Sequence, residues 1–241
     1  MKLFNDDMQV TRAGNFQFSG ARPEKLGSTE YTLVTIVTDR TGSVSGFADE
    51  LLAMKKAVVE SCAKSPRRDF LMLRNVEFAT DREEIHGFAE LRTVDPASYA
   101  RPRCGGMTAL YDATWEALAA TNEYGRILAD QDFGANAVVF VITDGSDNAS
   151  ARSAKMVAEE MGRGVAEEWL ESVNVVLIGI NAGACKTSLE RFAREAGLTQ
   201  YVDAGDATPA KLAKLADFVS RSISSQSQAL GTGGASVPLT F

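Results

Sequence analysis

Histidine is nearly missing from this 241-residue chain: there is one, His86, against 25 Lys plus Arg and 32 Asp plus Glu. Imidazole acid–base catalysis therefore has little to work with. Cysteine is scarce too. Cys62, Cys104 and Cys185 are odd in number, scattered and without CxxC spacing, which argues against a disulfide framework and against structural zinc. No apolar run approaches the ~18 residues of a membrane span, and the opening MKLFNDDMQV has two acids where a signal peptide carries its apolar core. These absences predict a soluble, unsecreted, cytoplasmic protein without membrane contact. A formal charge of −7 leaves no broad electrostatic footprint for nucleic acid. Neither GxGxxG nor GxxxxGK[ST] follows the first apolar run, so a phosphate-cradling nucleotide loop is not indicated.

What is present is a regular alternation. With 45% hydrophobic residues the chain can bury one sizeable core. Residues 31–38 read as a buried strand, and Phe47, Leu51, Met54, Val58 and Cys62 then recur at helical spacing. FLMLRNVEFA and IHGFAEL read as two strands of a hairpin-like return at a sheet edge. TALYDATWEALAATNE, SAKMVAEEMGRGVAEEWLES, KTSLERFAREAG and PAKLAKLADFVSRSI read as helices, alternating with ANAVVFVI, NVVLIGI and QYVDA as strands. The prediction is an α/β, doubly wound, Rossmann-like and mostly parallel sheet, with one antiparallel edge strand and helices on both faces. The domain is expected over residues 31–223. An extended leader, 1–30, carrying Phe4, Phe16 and Phe18, is expected to dock on it, and 224–241 to form a flexible tail.

In such a sheet ligands gather beyond the carboxyl ends of strands, where strand order reverses. Asp39 ends the first strand there, and its loop offers Thr41 and Ser43. A second loop, PRCGGMTALYDA, delivers Thr108 behind the Gly105–Gly106 pair, and a third, ITDGSDN, carries Asp144. Two carboxylates and three hydroxyls form an oxygen-only set suited to a hard cation such as Mg²⁺. Taken singly, each hydroxyl is as readily a helix N-cap and Asp144-Gly145 a turn. Arg40, Arg101 and Arg103 flank the same loops, either as a rim that steers an acidic ligand or as ordinary solvated arginines.

The pattern Asp39-x-Thr41-x-Ser43, then Gly105-Gly106-Met107-Thr108-Ala109-Leu110-Tyr111-Asp112-Ala113, then Thr143-Asp144-Gly145 resembles the metal-ion-dependent adhesion site (MIDAS) of von Willebrand factor A domains. The resemblance covers about residues 31–223. It implies that Thr41, Ser43 and Thr108 bind Mg²⁺ (or Mn²⁺) directly, with Asp39 and Asp144 acting largely through coordinated water. It also implies a protein partner that offers an Asp or Glu to the metal, and a non-enzymatic adaptor role. Thr41 departs from the serine of the commonest form while keeping the hydroxyl.

A metal-dependent phosphohydrolase is the rival reading, since Asp39, Asp144 and Asp147 with Mg²⁺ offer a way to activate water. His86, on the expected edge hairpin, reads as a satisfied or solvent-facing side chain away from the loops. KSPRRDF is short, lacks interleaved aromatics and reads as a solvated turn. Trp115 and Trp169 sit on apolar helix faces and read as core.

Overall fold

The computed structural model describes residues 7–235 and 237–241. The part of the leader at 1–6, Phe4 included, and Ser236 of the tail lie outside the described residues.

Strand β3, Glu30–Asp39, is the middle of the molecule, buried at every position after Glu30. A strand apolar on both faces needs cover on both faces. Val34 and Ile36 pack against α1, Ala48–Cys62, and α5, Pro209–Thr232. Val37, facing the other way, packs with α2, Leu110–Ala129, α3, Ala154–Ala166, and α4, Lys186–Glu195. Two parallel neighbours flank β3: β4, Leu71–Phe78, and β6, Gly134–Thr143. Beyond β6 the sheet continues in parallel with β7, Val173–Ile180, and β8, Gln200–Gly205. Because the chain moves from β3 to β4 on one side and later to β6 on the other, strand order reverses at the β3/β6 seam.

The mixed α/β architecture expected from the sequence is the one observed, with a fuller sheet on one side. β4 turns back antiparallel into β5, Arg82–Glu90, as the hairpin-like return required. β5 is not an edge strand, however. The leader supplies β1, Met8–Ala13, and β2, Phe16–Ala21, an antiparallel hairpin whose β2 runs parallel to β5. The sheet thus has eight strands in the order β1-β2-β5-β4-β3-β6-β7-β8 and two antiparallel pairs. Gly87 makes that seam possible, since a Cβ there would lie 1.9 Å from the Ser19 carbonyl oxygen. Phe18 stands edge-on to Phe88, Phe88 stacks on Tyr124 of α2, and the Tyr124 hydroxyl donates to the Ala21 carbonyl at 2.7 Å.

Two helix ends differ from the periodic pattern. α3 stops at Ala166, where Glu168 takes a left-handed φ of 60° and the Gly164 carbonyl accepts from both Trp169 and Leu170. α5 continues past 223 to Thr232, capped by left-handed Gly233, and beyond it Phe241 meets Phe218 edge-on at 5.5 Å.

Candidate metal centre

All three loops named from the sequence lie at the carboxyl end of the sheet, beside the β3/β6 seam. Asp39 closes β3 and is 1% exposed. Its Oδ1 accepts the Thr41 amide at 2.7 Å and its Oδ2 accepts the Thr143 hydroxyl at 2.6 Å, so both oxygens are fixed in direction. Thr41 Oγ1 lies 2.9 Å from Ser43 Oγ, and Ser43 Oγ donates to Asp144 Oδ1 at 2.9 Å. Thr41, Ser43 and Asp144 therefore form one chain of oxygens across loops 101 residues apart in sequence.

Thr41 and Thr108 do not act as helix N-caps. Thr41 precedes the 3-10 turn Gly42–Phe47 but makes no side-chain cap, and α2 is preceded by Ala109, so the Thr108 hydroxyl caps nothing there. Thr108 is buried and faces Gly145 of the third loop, where a Cβ would sit in ordinary contact 3.5 Å from its Oγ1.

Burial pushes the Asp39 carboxyl above its ordinary range; the Thr143 and Thr41 bonds pull it back and the nearby Asp144 charge raises it further. Burial likewise raises Asp144, against the pull of the Ser43 hydroxyl. Two carboxylates held together in a low-dielectric seam favour a cation between them. Hard oxygen donors, both carboxylates raised by burial and hydroxyls not spent on caps fit Mg²⁺ or Mn²⁺. Among the described residues no group of three or more His, Cys, Asp or Glu is gathered to hold a metal, so any cation here depends on the hydroxyls as much as on the acids.

A supporting layer was not singled out from the sequence. Thr143 orients Asp39 while accepting the Gly145 amide at 3.1 Å. Asn148 ties the second loop to the third: its Oδ1 accepts the Thr108 amide at 2.8 Å and its own amide donates to the Thr108 carbonyl at 2.9 Å. Asp112 accepts the amides of Ala151 and Arg152 and the Arg152 guanidinium. Burial alone would raise the Asp112 carboxyl, but those donors outweigh it and hold it below its ordinary range. Thr143, Asp112 and Asn148 carried a sequence signal only through their places in the quoted motifs.

The arginines differ among themselves. Arg40 is committed to Asp81 at 2.7 Å and to the Arg103 carbonyl at 3.2 Å. Arg101 is bound to Asp49 at 3.0 Å and to the Ser45 carbonyl at 3.0 Å. Arg103 is exposed on the same loop. Gly106, at φ 84°, turns the loop so that the Met107 amide meets Thr80 Oγ1 at 2.9 Å, leaving the Met107 side chain 55% exposed beside Thr108. His86 is buried on β5: Nδ1 lies 2.9 Å from the Gly87 carbonyl, which can only accept, so Nδ1 carries the proton and Nε2 accepts the Tyr99 hydroxyl at 2.8 Å.

Comparison with known proteins places the fold and no more. No family model matches the sequence, and no curated protein matches it. Among solved structures, the minor pilin PilB from Streptococcus sanguinis is similar, with a TM-score of 0.60 at 15% identity over 90% of this chain and 66% of that one. Proximal thread matrix protein 1 from the mussel byssus, in a structure with a zinc-occupied MIDAS motif, has a TM-score of 0.54 at 20% identity over 81% of this chain. The chain spans about half of that protein, 46%. The pilus adhesin SpaC from Lactobacillus rhamnosus GG has a TM-score of 0.57 at 11% identity, covering 92% of this chain and 36% of SpaC. The architecture is thus a Rossmann-like sheet of the von Willebrand factor A type, shared with matrix, pilin and adhesin proteins.

These neighbours overturn the cytoplasmic placement. Byssal threads and pili lie outside the cell, and the sequence argument had little physical force against them. Cys62, Cys104 and Cys185 form no disulfide with one another, and three unpaired cysteines do not by themselves fix a compartment. Among the described residues no helix is long and apolar enough to cross a membrane.

Proposed function

We propose that this chain is a von Willebrand factor A-type interaction domain that binds Mg²⁺ or Mn²⁺ and uses it to hold an Asp or Glu of a protein partner. The observation that carries this reading is the oxygen chain Thr41–Ser43–Asp144, with Asp39 fixed behind it. Thr41, Ser43 and Thr108 are the direct ligands, and Asp39 and Asp144 supply the negative charge that keeps the cation in place. A cation held largely by neutral hydroxyls keeps positive charge for an incoming carboxylate. In this reading Arg40 and Arg101 brace the loops, and Arg103 steers the acidic partner. A non-enzymatic role is supported by the location of His86, which is enclosed by Gly87 and Tyr99 on another strand.

The test is thermal unfolding with Mg²⁺, with Mn²⁺ and with chelator, on the wild type and on Ser43→Ala and Thr108→Ala. A ligand that binds only the native state raises the melting temperature. The expected result is a shift in the wild type that both variants lose while staying folded. Capture of an acidic partner should then require the metal. Metal-dependent phosphoester turnover abolished by Thr108→Ala would replace this reading with the phosphohydrolase one.

A further inference from the structure

A cleft of about 440 Å³ lies between β2, the β4–β5 turn and α2, and its Thr80 and Asp81 also meet the metal loops through Met107 and Arg40. It exists because β2 and β5 meet at Gly20 and Phe88 and diverge toward Phe16. Where the strands part, Glu84 replaces backbone pairing: its Oε1 accepts both the Ser19 amide at 2.9 Å and the Ser19 hydroxyl at 2.6 Å.

Arg74 of β4 lines this cleft. Its side chain is 4% exposed, its Nε donates to Glu84 Oε2 at 2.8 Å, and its guanidinium lies 5.9 Å from the rings of both Phe18 and Phe88. Its Nη1 is buried without a hydrogen-bond partner among the described residues. Glu84 does not supply the missing acceptor: its Oε1 serves Ser19 twice and its Oε2 meets Arg74 through Nε, not Nη1. The other acids of the cleft are taken as well: Glu116 is held by Arg82, and Asp81 by Arg40. The charges of the cleft are therefore satisfied except for one cationic donor, beside apolar wall from Phe16, Val76 and Ala117.

A buried guanidinium with a spare N–H is costly unless an acceptor completes it, and a carboxylate is the strongest acceptor for it. We propose that this cleft is a second binding site, for a small organic acid whose carboxylate meets Arg74 and whose apolar body lies against Phe16, Val76 and Ala117. The leader hairpin closes the site with Asn15, Phe16 and Gln17, which lie outside the span of the family resemblance, and the site does not depend on a metal.

The experiment is a titration of the full chain, in chelator, with benzoate and separately with benzamide, followed by backbone amide chemical shifts. Benzoate should shift the amides of Gln17, Thr80 and Ala113, and Arg74→Lys, which keeps the charge beside Glu84 but has no second nitrogen, should weaken binding by about tenfold. Benzamide, with the same body and no charge, should bind weaker by a similar factor. Gln17→Trp, at an exposed rim position, should also weaken benzoate, and carries the test if Arg74→Lys fails to fold. No benzoate-dependent shifts, shifts indifferent to both variants, or benzamide binding as tightly as benzoate would each overturn the assignment.

Discussion

Thr143 Oγ1 donates to Asp39 Oδ2 at 2.6 Å, from the last residue of one parallel strand to the last residue of its neighbour. The bond spans 104 residues of sequence and decides which way the most buried acid of the metal centre faces. Thr143→Val keeps the β-branched shape and removes the donor. The expected outcome is a folded protein whose Mg²⁺ or Mn²⁺ affinity, read by calorimetry, falls by about tenfold, as loss of a buried charge-assisted bond implies. Unaltered affinity would show that Asp39 needs no such guide.

Asp39→Asn should separate stability from binding. The Asp39 carboxyl is raised by burial, so the folded state holds its proton to higher pH than the unfolded chain. Stability in chelator therefore declines as pH rises from the unfolded value near 3.8 through the folded one. The amide carries no such penalty. At neutral pH the variant should melt at or above the wild type in chelator, and below it once Mg²⁺ is added. A lower melting temperature in both conditions would contradict this.

Lys55 and Glu77 form an ion pair with side chains 2% and 5% exposed, joining α1 to β4. Removing one partner strands the other, so Lys55→Met should cost about 3–5 kcal/mol in urea unfolding. Adding Glu77→Leu to it should return most of that loss. Equal or greater destabilisation of the double variant would mean that the pair, and not the penalty of breaking it, holds the helix to the sheet.

Burial lowers the affinity of His86 for its proton below the ordinary value of 6.5, against the pull of the Gly87 carbonyl and Glu84, with Arg74 and Lys55 adding to the effect. The unfolded chain takes up the proton first as pH falls, so this contribution to stability is full above pH 6.5 and is lost as pH drops toward the folded value. Since the chain has one histidine, melting curves of the wild type and His86→Gln isolate it. The wild type should lose more between pH 7 and pH 5 than the variant; parallel profiles would argue against the buried neutral ring.

Local patterns gave the metal loops away because each is a strand end followed within a few residues by its donors. Asp39, Thr41 and Ser43 needed no long-range information to be noticed. Their supports did: Thr143 serves an acid far away in sequence, and Asn148 matters only once α2 and the third loop are neighbours. Lys55 was passed over because a lysine beside Leu51, Met54 and Val58 reads as the solvent edge of a helix, and only Glu77 across the sheet makes its burial tolerable. His86 was placed on an edge because nothing near FLMLRNVEFA reveals that β2, 68 residues before Phe88, pairs outside it. Phe16 and Phe18 pointed to docking, but an alternation of two rings cannot name the strand it docks on.

The hairpin of β1 and β2 meets the rest of the sheet through the Gly20–Phe88 pairing and the Ser19–Glu84 bonds, whereas β3 is paired along its length on both sides. With Phe18 against Phe88 and the Tyr124–Ala21 bond as its other holds, this short unit is expected to come away, as a hinged flap, while the central strands stay folded. Native-state hydrogen exchange should show the amides of Val10 and Phe18 opening at lower free energy than those of Val34 and Ile36, and identical opening energies would rule the flap out. Such an opening would carry the Phe16 wall away from Arg74, and so take the cleft apart at less cost than unfolding the domain.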